Sequence, residues 1–199
     1  MLLWLVALQA MSVAPAGPPH SPAVPDDPRY ARCAGAERIL AEGGHLSWAP
    51  VTTAIDRHRK LRAELKASPP PERAPRILWY ASGGDLATTS FSIVASRDPG
   101  GLWHVDGVGE SQIWLPNAKP TVTPPIARTL TAEDSRSLDA LLADPCLEIG
   151  PTFVDNPRVV AGGLFATLEI DLPGHRWAGA WHGMTTPQEQ AILEMIGRP

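Results

Sequence analysis

Residues 164–183, LFATLEIDLPGHRWAGAWHG, contain the pattern that decides the fold. Apolar and polar side chains alternate from Leu164 to Leu172 and again from His175 to His182, which is the period of a β-strand with two unlike faces. Pro173-Gly174 separates the two runs and is typical of a tight turn. The stretch therefore predicts an antiparallel β-hairpin.

A similar hairpin is predicted earlier in the chain, where Ala87 to Ser96 and Leu102 to Val108 flank the turn sequence Asp98-Pro99-Gly100-Gly101. Six of its residues match the later hairpin at one constant offset: Phe91, Val94, Pro99, Gly100, Trp103 and Gly109 correspond to Phe165, Leu168, Pro173, Gly174, Trp177 and Gly183. A helix follows each hairpin, the first capped by Thr131 and the second opened by the capping box Thr186-Pro187-Gln188-Glu189. We interpret this as a ββα unit used twice.

These elements predict an α+β domain. A further strand, Arg76 to Ser82, joins the two hairpins in an antiparallel sheet of about five strands with helices on one face. The domain spans residues 28–199. It consists of a helical N-terminal part, 28–67, and a ββα repeat body, 76–199, separated by a proline-rich spacer. The N-terminal part is predicted to be a pair of helices, one opening at Asp27-Pro28 and one near Thr53.

Residues 1–16 predict a secretory signal peptide. Leu2 to Val13 is apolar and uncharged, and it is shorter than the about 20 residues that span a bilayer. Ala14-Pro15-Ala16 offers small residues at the two positions that signal peptidase reads, so cleavage is expected after Ala16. Residues 17–27 form a proline-rich spacer. We therefore expect a periplasmic or secreted protein, and the scarcity of lysine beside abundant arginine is typical of a GC-rich bacterial genome.

Cys33 and Cys146 are the only cysteines. In an exported chain an even number of cysteines favours a disulfide bond, and we predict one between these two residues, with two free buried thiols as the alternative. Two isolated cysteines have no spacing that suits a metal.

Catalytic and metal-binding signatures are weak in this chain. Ser82, next to Gly83-Gly84, does not lie in a G-x-S-x-G motif. His104, Asp106 and His182 are the residues considered as its partners in a catalytic site. The six histidines show no ligand spacing, and no phosphate-binding glycine loop occurs, so we predict no catalytic residue, metal or cofactor. A net charge of −4 gives no reason to expect nucleic acid. Whether the chain is an enzyme stays open, with a non-catalytic role favoured.

The aromatic run HRWAGAWHG divides into two faces by alternation. His175, Trp177 and Trp181 share one face, which we predict to be core. Arg176 and His182 share the other, together with the wet side of the preceding strand, which carries Thr167, Glu169 and Asp171. We predict that Arg176 and His182 belong to a binding surface on an uncovered sheet face, with the proline-rich connection Leu115 to Arg128 beside it.

The sequence thus indicates an exported cell-envelope protein with a non-catalytic binding or accessory role and an unknown protein or envelope ligand as partner. The alternative is a secreted hydrolase with an unassigned active site. A less favoured third hypothesis is contact with a membrane surface through the basic helix that contains Arg57 to Lys66.

Overall fold

The computed structural model of the chain describes residues 45–47, 55–144, 147, 153–155, 163–183 and 185–198. The predicted signal peptide, the spacer 17–27, the first predicted helix, and both Cys33 and Cys146 lie outside the described residues. The predicted disulfide therefore stays a prediction.

Three helices and nine strands make up this part of the chain. The helices are α1 (Ile55–Glu64), α2 (Ala132–Leu142) and α3 (Pro187–Gly197). The strands are β1 (His45–Ser47), β2 (Arg76–Gly83), β3 (Ala87–Arg97), β4 (Trp103–Ile113), β5 (Thr121–Val122), β6 (Ile126–Thr129), β7 (Phe153–Asp155), β8 (Leu164–Leu172) and β9 (His175–His182).

All nine strands belong to one sheet in the order β1-β7-β9-β8-β2-β3-β4-β5, and β6 also pairs with β4. Every pairing is antiparallel except that of β7 with β9. The predicted α+β class with an antiparallel sheet is confirmed. The predicted count of about five strands covers only the long ones, because the remaining four have two to four residues and are too short to show a period.

Both predicted hairpins are present, but they are not neighbours. Strand β2 lies between them, pairing with β3 through Trp79↔Ile93 and with β8 through Trp79↔Leu168. The hairpins also differ in length, since β3 and β4 have 11 residues each whereas β8 and β9 have 9 and 8. The two ββα units therefore do not match each other exactly.

Helices lie on both faces of the sheet, so the prediction that they cover one face is wrong. Helices α2 and α3 pack on what we call the α2/α3 face, where the main core lies. Its buried members include Ile77, Ala95, Trp103, Leu138, Leu168, Trp177, Ile192 and Ile196. Helix α1 packs on the opposite face, the α1 face, where Leu61 contacts Tyr80. The alternation of side chains along each strand predicted correctly which residues share a face. It could not predict which face a helix covers, because that depends on packing between residues far apart in the chain.

Capping chemistry sets where the two later helices begin. The Thr131 side chain accepts a hydrogen bond from the Asp134 backbone N–H at the start of α2. At α3 the Thr186 hydroxyl accepts from the Glu189 N–H, and a Glu189 carboxylate oxygen accepts from the Thr186 N–H, which confirms the predicted capping box.

Candidate functional site

Arg176 and His182, the predicted binding residues, lie on the α1 face at opposite ends of β9. They are six positions apart along the strand, which corresponds to about 20 Å. A guanidinium nitrogen of Arg176 lies 3.2 Å from a carboxylate oxygen of Glu169. The His182 ring meets Phe165 edge to face, with 4.9 Å between ring centroids. The structure gives each residue its own partner and does not bring the two together in one site.

The face of β8 that was expected to be solvent-exposed is buried in the middle of the strand. Thr167 and Glu169 are buried, and Asp171 is half-buried in an ion pair with Arg76. Thr167 donates a hydrogen bond from its hydroxyl to the Tyr80 carbonyl oxygen on the neighbouring strand. The prediction of a solvated, uncovered face is therefore wrong for the middle of β8.

The tryptophans expected in the core are there. Trp177 and Trp181 are 7% and 5% exposed on the α2/α3 face, and Trp103 is fully buried beneath α2. The Trp103 indole N–H donates to an Asp139 carboxylate oxygen at 2.9 Å, which ties β4 to the helix.

The residues considered for a hydrolytic site have other partners. Ser82 Oγ lies 2.8 Å from Ser90 Oγ on the adjacent strand. His182 is separated from Ser82 by the intervening Phe165 of β8, since these three residues are register partners across β2, β8 and β9.

His104 lies at the other end of the sheet from Ser82, in an exposed chain of three side chains. Its Nε2 lies 2.8 Å from Asp98 Oδ2 and its Nδ1 lies 2.8 Å from Thr129 Oγ1. Because a carboxylate only accepts, His104 donates from Nε2 to Asp98, and its Nδ1 shares the second hydrogen bond with the Thr129 hydroxyl. This order of side chains resembles a catalytic triad. However, none of the clefts is lined by these three residues. Their hydrogen bonds instead link the β3–β4 turn to β6.

A cleft of about 740 Å³, which we call the aromatic groove, lies between the α2/α3 face and helix α3. Its apolar lining residues are Trp79, Ala81, Phe91, Leu164, Ala166, Trp181 and Leu193. The volume is in the range of small-molecule sites, about 300–1,000 Å³. Sequence reasoning missed it because it identified Trp181 as core but had no means of placing α3 against the sheet.

Small residues make room for the groove. Ala81 and Ala166 are register partners on β2 and β8. Their short side chains leave space above the centre of the sheet. Trp79 and Phe91 stand beside them with their rings edge to face, 4.8 Å between centroids. At the C-terminal end of α3, a Cβ on Gly197 would come within 2.8 Å of the Trp79 ring, so glycine lets the helix end approach the tryptophan closely.

Apart from the indole N–H groups, polar groups line the groove on the helix side only. They come from Thr185, Gln190, Glu194 and Arg198, in or next to α3. Gln190, Glu194 and Arg198 are exposed, so they form a rim at the mouth. The groove thus has an apolar, aromatic wall and a polar rim that contains one carboxylate and one guanidinium.

A buried polar network on the α1 face is the second notable arrangement. His58 and Arg62 of α1 are each 1% exposed and Ser92 of β3 is fully buried. His58 Nδ1 lies 2.7 Å from Ser92 Oγ, and Arg62 forms an ion pair with Asp106 of β4. The Arg62 Nε–H also donates to the Ser68 carbonyl oxygen, which fastens the chain that leaves the helix.

Burial, and secondarily the Arg62 guanidinium, lower the pKa of His58 from 6.5 to about 4. The imidazole is therefore neutral near pH 7. The His58 ring nitrogen Nδ1 and the Ser92 hydroxyl share a hydrogen bond, and Arg62 donates to the same Ser92 oxygen at 3.4 Å. Although this is a base next to a hydroxyl, Ser92 has no accessible surface, so the network joins α1 to the sheet rather than meeting a substrate.

A smaller cleft of about 410 Å³ lies next to this network, between α1 and the sheet. It is polar, with lining residues Arg57, Lys60, Leu61, Glu64, Tyr80, Ser82, Ser90 and Glu110. Arg57 also lies over the Phe165 ring, 5.6 Å from its centroid. Two cations of the predicted basic helix, Arg57 and Lys60, thus lie near the end of the sheet where β2 finishes and β8 starts.

Among the described residues, no group of three or more His, Cys, Asp or Glu side chains is arranged to hold a metal ion. Within the same residues, no helix combines the length and apolar character needed to cross a membrane. No protein-family model, curated protein or solved structure matches the chain.

Proposed function

We propose that this chain is an exported, non-catalytic binding domain that holds the apolar part of a small amphiphilic molecule in the aromatic groove. The observation that carries the proposal is the groove itself, a cleft of about 740 Å³ with three aromatic side chains, Trp79, Phe91 and Trp181, in its lining. Burying an apolar chain against such a wall is favourable by about 25 cal/mol per Å² of apolar surface.

The distribution of polar groups favours an amphiphile over a wholly apolar ligand. The sheet side of the groove offers aliphatic and aromatic side chains whose only polar groups are indole N–H groups, whereas Gln190, Glu194 and Arg198 stand at the mouth. An apolar tail would lie against the sheet while a polar head group stays at the rim. Arg198 is the group there that suits an anionic head, because a guanidinium donates well to carboxylate or phosphate oxygens.

The contacts of Ser82 and His104 support a binding role over the alternative of a secreted hydrolase. Ser82 shares its hydrogen bond with Ser90, and His104 lies between Asp98 and Thr129 on an exposed edge. Neither residue lines the aromatic groove.

The place of action proposed here is the bacterial periplasm or the outside of the cell, from the leader-like residues 1–16. In that compartment Cys33 and Cys146 are proposed to form a disulfide bond. Alkylation of the unfolded protein with and without reductant, followed by mass measurement, tests the bond. Two thiols alkylated without reductant would exclude it.

The groove is tested by titrating the purified protein with 1-anilinonaphthalene-8-sulfonate and with a single-chain fatty acid as competitor. Gln190→Trp places a large side chain at the mouth, and Gln188→Trp on the same helix is the matched control, because Gln188 does not line the groove. We expect at least tenfold weaker binding in Gln190→Trp and unchanged binding in Gln188→Trp. Equal affinity in both variants, or no saturable binding by the wild-type protein, would overturn the proposal.

A further inference from the structure

The large apolar side chains exposed in the described residues gather at one end of the sheet. Five of them form what we call the apolar tip: Leu86, Ile113, Trp114, Leu115 and Val122, which are between 50% and 83% exposed. The sixth, Leu164, is 40% exposed and pairs with Gly83 at the same end of the sheet. Single exposed apolar residues are ordinary, but a group of five is the kind of surface that marks an interaction site.

The topology brings these residues together from three separate segments. Leu86 lies in the connection between β2 and β3, Ile113 ends β4, and Val122 belongs to β5. Ile113 pairs with Ala87, and the Trp114 backbone N–H donates to the Leu86 carbonyl oxygen at 3.2 Å. The tip is therefore held by the sheet's own hydrogen bonds.

Trp114 is fixed in an exposed position. Its indole N–H donates to Thr88 Oγ1 at 2.7 Å, so the one polar group of the ring is satisfied within the protein while the side chain stays 65% exposed. The following residues are also ordered, since the Ala118 N–H donates to the Leu115 carbonyl and Gln112 Nε2 donates to the Ala118 carbonyl. An apolar side chain held outward by hydrogen bonds does not have to be reorganised before it meets a partner.

The charged side chains near the apolar tip indicate what kind of partner fits it. Between Glu110 and Glu133 the chain has no acidic residue, and its charged side chains there are Lys119 and Arg128. This segment contributes four of the five tip residues, with Lys119 exposed next to them. Two acidic residues adjoin the tip: Asp85 precedes Leu86 in the chain, and the half-buried Glu110 is the register partner of Val122 and lines the cleft of about 410 Å³ together with Arg57 and Lys60. An apolar surface with a tryptophan and a lysine complements the interface of a bilayer that contains anionic lipids.

Pairing with another strand is a poor alternative for this edge. Pro120, Pro124 and Pro125 flank β5 and lack the N–H groups that a further strand requires. The tip also consists of strand ends and connections, whereas strand addition needs an extended free edge.

We propose that the apolar tip docks this protein on an anionic phospholipid bilayer, with Trp114 and Leu115 entering the interface and Lys119 near the head groups. The inference goes beyond the proposed ligand groove and does not depend on it. It differs from the sequence-based hypothesis of a basic helix, because apolar residues outside α1 make the principal contact.

The test is co-sedimentation of the purified protein, with residues 1–16 removed, with vesicles of phosphatidylethanolamine and phosphatidylglycerol. We expect the wild-type protein to bind and the double variant Trp114→Ser, Leu115→Ser to partition at least tenfold less. The control Trp114→Phe, Leu115→Ile removes the Thr88 hydrogen bond but keeps the apolar surface, so it is expected to bind nearly as the wild type does. Circular dichroism confirms that each variant is folded.

Lys119→Gln is expected to weaken binding to the anionic vesicles about fivefold, and Arg136→Gln on the exposed side of α2 to leave it unchanged. The groove variant Gln190→Trp should bind vesicles normally, which separates this proposal from the proposed function. Absence of wild-type binding, or equal binding by the serine double variant, would overturn the inference. A concentration-dependent dimer that the serine variant abolishes, without vesicle binding, would instead show that the tip joins two copies of the chain.

Discussion

His58 Nδ1 on α1 and Ser92 Oγ on β3 lie 2.7 Å apart in the protein interior, although 34 residues separate them in the chain. Arg62, one turn further along the helix, contacts the same serine and reaches Asp106 on β4. A helix with few apolar residues is thus joined to the sheet by buried polar contacts.

Acidification is expected to destabilise the protein through His58. Its folded-state pKa, about 4, lies below the unfolded value of 6.5, so the unfolded state binds more protons between these values. The stabilisation is complete above about pH 7 and is lost as pH falls from 6.5 to 4, by about 3 kcal/mol in total. Urea unfolding between pH 7.5 and 4 measures the loss.

The control for this pH effect is His58→Gln, which removes the titrating group. Burial raises the pKa of Glu189, which acts in the opposite direction because protonating that carboxyl favours the folded state at acid pH. The difference between wild type and variant isolates His58. An identical pH profile for both proteins would contradict the prediction.

Arg62→Ala is expected to lower the free energy of unfolding by about 3 kcal/mol, because it leaves the Ser68 carbonyl and the Asp106 carboxylate without their partner and opens space in a buried position. Arg59→Ala, on the exposed side of the same helix, is the control and should change it by less than about 0.5 kcal/mol. Chemical denaturation compares them. Similar losses in the two variants would show that α1 is not held by the buried network.

His104→Ala is expected to raise the pKa of the Asp98 carboxyl toward its usual value. The hydrogen bond from His104 is the main cause that lowers this pKa, and the backbone N–H groups of Leu102 and Gly100 lower it further and remain in the variant. Titration of the Asp98 carboxyl followed by NMR measures the change. An unshifted Asp98 would mean that the chain of Asp98, His104 and Thr129 does not persist in solution.

Thr186→Ala is expected to cost about 1 kcal/mol of stability, because the Glu189 backbone N–H at the start of α3 loses its acceptor. Thr186→Ser keeps a hydroxyl at the same position and is expected to retain most of the stability. Thermal unfolding of both variants tests the cap, and an alanine variant as stable as the serine variant would count against it.

The hairpins, the caps and the division of strand residues between two faces were predictable, since each depends on residues close together in the chain. Leu164 to Leu172 and His175 to His182 have the predicted bounds, and α3 begins where its capping box indicates. The helix near Thr53 was also predictable. The burial of Arg62 was not, because an arginine in a basic helix is typical of a solvated surface.

By itself the sequence determined where the five long strands and the three described helices lie and which residues of those strands share a face, because turn chemistry, capping and alternation act over a few residues. Tertiary structure alone decided that β2 separates the two hairpins, that α1 covers the second face, and that Arg176 and His182 lie far apart. It also decided that Ala81 and Ala166 lie beside α3 in a groove and that Leu86 meets Trp114 at the tip. These relationships join residues distant in the chain, and the free energy that selects them comes from packing and burial of the whole domain, which no local pattern encodes.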